Sequence, residues 1–531
     1  MQFQCGEVMI CRGLHTFWPT AALTRNCILL FVATLARWVL AKPLQEGGCS
    51  MNGRGFEQGC EGMEPEPFMA RKAKLLAERG AQTVPVEVAT LSSAEQSLQR
   101  DVLRPAILEA SIDPAKSFLE GKDDYDASRL LSLLQRMPKG AVLHTHSLAT
   151  GDFDDLVERL QQDKNFYIWQ GNDSAIEGQV KVFATAQADQ VGSGWVQAAH
   201  LPKEKLHDYF TLSPGLTSSQ EAWGEFMQLW DRVAPIPTCA PFYYGRGGYL
   251  WSILLRQVQS NVIYLEIKEA MPFPVTEYNG TVLSDDEWLS RFRATVLEFR
   301  AEHPEFLGAR LIATAIKFQS ADVVRLQFRR AVQMKARFPD FVAGFDMAGP
   351  EDVLQPIEAY ADMLQEEAAI AAREGVDLPL LLHAGETNVP NATQIFDAVA
   401  LGCERIGHGF ALARFSNLVQ EVLAAGASLE CSPISNQVLG YFPNLAAHSA
   451  LHLFRAGVPV HISPDDPGMF NYSDVSYDFA AVAKAWDLDL AELKTLARNS
   501  LAFSTLRGSA REEALRSWEA QWHRWVRAEL P

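Results

Sequence analysis

Four short apolar runs in this chain end in histidine or aspartate. They are Ala141-Val-Leu-His144-Thr-His146, Leu378-Pro-Leu-Leu-Leu-His383-Ala-Gly-Glu386, Arg405-Ile-Gly-His408-Gly409 and Val458-Pro-Val-His461-Ile-Ser-Pro-Asp465-Asp466. Each reads as a strand that delivers polar side chains to its carboxyl end, which is how a parallel barrel of alternating strands and helices assembles an active site. Candidate strands begin near Ala141, Val262, Ala309, Phe341, Leu378, Arg405, Ser428 and Val458, and most of the gaps between them carry helical periodicity. Eight such repeats are the count that a closed TIM-type (β/α)8 barrel requires, so the expected fold class is α/β.

With 531 residues, the chain exceeds the roughly 250 that such a barrel needs, so one large domain with additions is expected. About 110 residues separate the first two strands, far more than one crossover helix takes. Their polar, glycine-containing part, residues 161–204, reads as a lobe inserted over the barrel mouth that shapes substrate access. The alternative is a surface elaboration with no catalytic role. The barrel with its lobe is assigned to residues 137–531.

Ahead of it, residues 68–136 form a helical region and residues 42–67, rich in Gly, Glu and Pro, a flexible connector. Residues 68–79 and 92–104 have apolar positions at helical spacing, with Ser92 or Ser93 as an N-cap. Such stripes must pack on the barrel or on a second copy, which makes a homodimer arm an expectation. A third helix, Asp126 to Arg136, leads into the breaker Met137-Pro-Lys-Gly140.

A formal charge of -18 excludes a nucleic-acid polymer as partner, because phosphate backbones are held by clustered Lys and Arg. No CxxC occurs among the eight cysteines, which excludes zinc ribbons and Cys-rich zinc sites. A Cys49–Cys60 bridge is open if the chain is exported. Residues 27–41 are largely apolar, follow Arg25 and end in Val39-Leu-Ala41, so residues 1–41 read as a cleaved signal segment of a secreted protein without a membrane anchor. Arg37 within the run and the 26 residues before it are atypical, and an ordinary tail is the alternative. Sequons at Asn172, Asn279, Asn391 and Asn471 are compatible with export.

His144 and His146, at i and i+2 on a strand, leave the same face. Alone, such a pair is ordinarily structural. Joined by His383 and Asp465 from other strands, it offers three imidazoles and a carboxylate, a set that suits one zinc ion per subunit and leaves room for a water whose pKa drops toward about 7. Glu386 is then placed to donate a proton to substrate, His408 to deprotonate or orient the water, and Asp466 to hold the nucleophile's direction. A helix N-cap before Pro467 is the structural alternative for Asp465-Asp466.

Together, Met137-Pro-Lys-Gly140, His144-Thr-His146, Gly344-Phe-Asp-Met-Ala-Gly349, His383-Ala-Gly-Glu386, Arg405-Ile-Gly-His-Gly-Phe-Ala-Leu412, Cys431-Ser-Pro-Ile-Ser-Asn-Gln-Val-Leu439 and Ser463-Pro-Asp-Asp-Pro467 resemble the adenosine deaminase superfamily. Within it, the chain is most similar to the secreted adenosine deaminase-related growth factors, from about Phe68 to the C-terminus. The resemblance implies zinc on His144, His146, His383 and Asp465, Glu386 protonating purine N1, and His408 and Asp466 managing the hydroxide that attacks C6 and displaces ammonia. It further implies that the Gly349 backbone meets purine N3, that Trp223 lies near the nucleoside unless it is a core aromatic, and that the N-terminal helices form a dimer.

Adenosine or 2'-deoxyadenosine is the implied substrate. Another 6-aminopurine is the alternative, as is a growth-factor-like binding protein with reduced activity and an unidentified receptor. One departure bears on this choice: where the family usually has an acidic residue after the HxH pair for the ribose 5'-hydroxyl, this chain has Ser147, a weaker neutral contact. Asp152 or Asp154 could stand in. The lobe also lacks the cysteine pair of some relatives.

His461 is expected to be a hydrogen-bonded core residue lower in the barrel, and His448 and His452 to share a helix face without completing a metal site. Tyr244-Gly-Arg-Gly-Gly248 reads as a turn.

Overall fold

The strand carrying Val262-Ile-Tyr-Leu-Glu-Ile-Lys-Glu-Ala270 is buried along its whole length, as expected for a parallel strand covered on both faces. In the computed structural model, which describes residues 90–170, 180–184, 191–216, 218–271 and 273–530, it is the second of eight parallel barrel strands. These are β1 (Gly140–Val142), β5 (Val262–Ala270), β6 (Gly308–Ile316), β7 (Val342–Ala348), β8 (His383–Ala384), β9 (Arg405–His408), β10 (Ser428–Cys431) and β11 (Val460–Ile462). They form two four-stranded parallel sheets in the orders β1-β5-β6-β7 and β11-β10-β9-β8. Parallel bridges between Thr145 and Asp465, and between Phe345 and Leu380, join the two sheets at both edges.

The expected strand starts are met to within two residues except at β8, where the run from Leu378 gives only two ladder residues. Pro379 has no N–H to donate, so this stretch joins β7 through the Pro379 carbonyl, which accepts from Phe345 N–H at 2.9 Å, and the Leu381 N–H, which reaches the Phe345 carbonyl at 2.9 Å.

The expected helix from Asp126 to Arg136 is two helices, Phe118–Asp126 and Arg129–Arg136. Ser128 separates them because its Oγ accepts from the Leu130 and Leu131 N–H groups and so starts a new helix. Ser92 is the N-cap of the preceding helical run, in a reciprocal capping box with Glu95. That run continues through a π turn at Gln99–Leu103. It packs on its own chain: Glu95 Oε1 accepts from Lys494 Nζ at 2.9 Å and from Trp522 Nε1 at 2.7 Å, on the C-terminal helix Gly508–Glu529.

The breaker before β1 has a structural role. Buried Lys139 donates to the carbonyls of Gln135, Met137 and Ser260 and ties the barrel floor together. Within the inserted segment, β2 (Phe166–Trp169), β3 (Val180–Val182) and β4 (Trp195–Gln197) form an antiparallel sheet in the order β3-β2-β4. Beyond it, helix Ser219–Val233 brings Trp230 to 5.6 Å from His146, centroid to centroid.

Residues 244–248 form the expected turn, with a Gly248 N–H to Gly245 carbonyl bond of 3.0 Å. The signal segment, connector, helix 68–79, Cys49, Cys60 and Asn172 lie outside the described residues. Among the described ones, no helix is long and apolar enough to cross a membrane.

Candidate active site

Strands β1, β8 and β9 bring four imidazoles together, and the carboxyl end of β11 brings a carboxylate. Ring centroids lie 4.5 Å apart for His144 and His383, 4.8 Å for His144 and His408, and 5.2 Å for His146 and His383. Asp465 faces them: its Oδ1 is 3.1 Å from His144 Nε2 and 3.2 Å from His146 Nε2, and its Oδ2 is 3.7 Å from His408 Nε2. Glu386 Oε1 is 3.6 Å from the same His408 nitrogen. Two overlapping groups have potential ligand atoms within 4.8 Å of one another: His144, His383, His408 and Asp465, and His146, Asp465 and Asp466.

All of these residues are buried; Asp466 Oδ1 has no hydrogen-bond partner among the described residues, and Asp465 Oδ1 faces the two histidine nitrogens alone. So many enclosed acceptors are costly without a cation, and this donor set fits a divalent metal. His408 (φ 60°) and Asp465 (φ 63°) both adopt the left-handed region, which for non-glycine residues costs about 1–3 kcal/mol and concentrates at functional sites. Gly407 lets β9 pass close by, since a Cβ there would lie 3.1 Å from His383 Cα and 3.2 Å from His144 Cε1. No helix begins after Asp466. The chain turns, with Phe470 N–H on the Asp466 carbonyl at 3.2 Å, so the N-cap alternative is set aside.

Beneath the imidazoles lies a charged layer that sequence reading missed. His144 Nδ1 meets Glu430 Oε2 at 2.7 Å and His383 Nδ1 meets Asp346 Oδ2 at 2.8 Å, contacts that turn the opposite ring nitrogens toward the centre. Lys268 Nζ bridges these carboxylates at 2.9 Å from Asp346 and 3.2 Å from Glu430. Arg405 links Glu430 to Glu266 at 2.7 Å each. The signal was present in sequence: Glu266 and Lys268 sit at i and i+2 in a mostly apolar strand, on one face.

Burial alone would raise Asp346 and Glu430, but neighbouring cations hold both well below the usual carboxylate range. Burial lowers His383 to about 3, so it is a neutral ring able to act as a ligand. Burial, then the charge of Asp465, keeps Glu386 and Asp466 well above the ordinary range. Asp465 is held well below it by His144 and His146 despite its burial.

Glu386 is also held in place. Glu351 Oε2 accepts from Gly385 N–H at 2.7 Å and from Glu386 N–H at 3.1 Å, while Lys317 Nζ caps the His383 carbonyl at 3.0 Å. Gly349 ends β7 at φ 121°, where a side chain would be strained and would meet Leu354 Cδ1 at 2.6 Å.

Trp223 is half-buried, and its Nε1 donates to Tyr441 Oη at 2.9 Å. Two turns further along the helix, Trp230 is the tryptophan against His146. Ser147 is buried near Glu269, a carboxyl that burial pushes up to about 7. Asp152 and Asp154 do not stand in for the missing acid. Asp152 caps helix Phe153–Gln162 and pairs with Arg256 at 2.5 Å, and Asp154 is exposed beside Lys203.

His461 is buried as expected, but neither ring nitrogen has a hydrogen-bond partner among the described residues. His448 lies ahead of helix Ala450–Arg455, so it shares no helix face with His452.

Fold and centre together define a class: barrel enzymes with a buried imidazole and carboxylate group, able to hold a metal ion, at the carboxyl rim. A sequence model of one family, Adenosine deaminase, matches residues 215–518. Adenosine deaminase 2 of Sus scrofa is 31% identical over 460 residues, covering 82% of this chain and 88% of that protein. The human adenosine deaminase 2 is 30% identical over 434 residues, covering 78% and 83%. Among solved structures, a cog1816 amidohydrolase from Burkhoderia ambifaria with bound Zn aligns at TM-score 0.50 and 18% identity, over 75% of this chain and 94% of that one. The chain belongs to the adenosine deaminase family, hydrolases that act on C–N bonds.

Proposed function

We propose that this protein is a zinc-dependent deaminase that converts adenosine and 2'-deoxyadenosine to the corresponding inosines and ammonia outside the cell. The substrate reading is supported by relatives that are adenosine deaminases. The observation that carries the reading is Glu386, an enclosed carboxyl that keeps its proton within 3.6 Å of His408 and beside the imidazole cluster. Hydrolytic deamination needs such an acid at a ring nitrogen and an activated water at the adjacent carbon.

His144, His146, His383 and Asp465 would hold one zinc ion per subunit, which supplies a water activated at neutral pH. Glu386 gives its proton to purine N1. His408 and Asp466 direct the attacking oxygen to C6, and the amino group leaves as ammonia. The Gly349 backbone meets N3, with Trp223 and Ser147 along the nucleoside.

Residues 137–531 are the catalytic domain in this reading, with 68–136 as the dimer-forming region. Secretion is supported by the apolar segment 27–41 and by the exposed sequon residues Asn279, Asn391 and Asn471. Ultraviolet-monitored conversion of adenosine by purified protein tests the core of the proposal. Activity should vanish with a chelator and return with zinc, and turnover indifferent to both would reject the metal assignment.

Ser147 favours a second reading, turnover of another 6-aminopurine, and a substrate panel separates the two. A receptor-binding role would show as a biological effect that survives Glu386→Ala while ammonia release is lost.

A further inference from the structure

A chain of side chains behind the centre ends on His408. Its direction is anchored by a backbone group: Ala450 N–H lies 3.1 Å from His448 Nδ1, and an amide N–H can only donate. His448 Nδ1 is therefore bare, and the neutral ring carries its proton on Nε2, which lies 3.1 Å from Asn436 Oδ1. With its oxygen so engaged, the Asn436 amide turns Nδ2 to His408 Nδ1, also at 3.1 Å, and donates to it. A neutral His408 is left with its proton on Nε2.

Running the chain the other way would set a His448 Nδ1–H against Ala450 N–H, two donors face to face in an enclosed place. Little can relax to avoid this. Asn436 is fully buried within helix Pro433–Val438, its carbonyl accepts from Tyr441 and Phe442 N–H, and His448 stacks on Phe442 with ring centroids 4.1 Å apart.

We infer that His448, acting through Asn436, fixes the tautomer of His408 and makes it a hydrogen-bond donor beside the metal-binding group, not a member of it. This rests on the deaminase reading above and sharpens it. His408 Nε2 lies among the potential ligand atoms of His144, His383 and Asp465, yet a protonated nitrogen has no lone pair for a cation. His146 is then the third imidazole ligand. Between deprotonating and orienting the nucleophile, His408 orients it, by donating to the attacking oxygen from a site 3.6 Å from Glu386 and 3.7 Å from Asp465. Asn436 and His448 are positioning residues, because they act through His408.

The test is the ring-nitrogen spectrum of the zinc-loaded full-length protein carrying 15N-histidine, with His408 identified by the signal lost in His408→Gln. A bare Nδ1 and a protonated Nε2 on His408 are expected. In Asn436→Asp the carboxylate accepts from Nδ1 and draws the proton there. The tautomer should invert and kcat should fall about a hundredfold or more, as wrong-tautomer variants elsewhere behave, with KM and zinc content little changed. His448→Gln, whose amide can still donate to Asn436 Oδ1, should retain more of kcat than His448→Phe.

A wild-type His408 with its proton on Nδ1, or with Nε2 bonded to zinc, overturns the inference. So does an Asn436→Asp enzyme with an unchanged tautomer. If variants fail to fold, the wild-type spectrum decides alone. Because that spectrum requires no turnover, a protein that shows the stated tautomer but deaminates nothing would sink the functional reading and leave this inference standing.

Discussion

Glu386 is a carboxylic acid in a place where ionising is expensive. An ordinary glutamate loses its proton near pH 4.3, whereas burial, Asp465 and Glu351 hold this one well above that. As the proposed general acid it works only while protonated. Activity should therefore persist at neutral pH and fall as pH rises through its elevated value, which a pH profile of kcat will show. Glu386→Gln should lower kcat by about 10²–10⁴ with metal content intact, since removing a general acid costs on that scale. Behind the metal group, Glu430→Gln and Asp346→Asn remove the carboxylates that turn His144 and His383. Each should weaken zinc about 10–100-fold in competition with a chelator. His144, His146, His383, Glu386, His408, Asp465 and Asp466 were legible in sequence because each stands at or just past a strand's end, where polar groups interrupt apolar runs. Asp346 and Glu430 were not, because a lone carboxylate inside a strand shows no partner until the fold supplies Lys268.

At the level of elements, strand starts could be read from apolar runs because both faces of a barrel strand are covered. The three short strands of the inserted segment could not, since three or four residues are too few for a period to emerge. The helix starting at Ser93 gives a separable test. Burial alone would raise Glu95, but Lys494, Ser92 and Trp522 bring it down to about 2. A carboxyl depressed in the folded state stabilises above its unfolded pKa, and that stabilisation is lost as pH falls toward the folded value. Glu95→Gln should thus cost about 2 kcal/mol at pH 7, with the difference from wild type shrinking between about pH 5 and pH 2 in denaturant titrations. Arg405, buried between Glu266 and Glu430, offers a larger effect. Arg405→Met strands two carboxylates in the barrel and should cost about 3–5 kcal/mol.

For the whole molecule, metal and fold should be coupled. A cation bound only by the native centre stabilises by mass action, so chelation should lower the melting temperature and zinc should restore it in proportion to the logarithm of its free concentration. The barrel's ends also meet at the centre. The join between first and last strands is a few bonds long: Asp465 N–H to the His144 carbonyl at 3.1 Å, His146 N–H to the Asp465 carbonyl at 3.2 Å, and Thr145 Oγ1 to the same carbonyl at 2.8 Å. Three of the proposed ligands flank this zipper, so a cation gripping them would rivet shut one of the two seams where the ring could unbutton. Amide hydrogens of residues 144–147 and 463–466 should then exchange more slowly with deuterium once zinc is added, and more so than those of the outer helices.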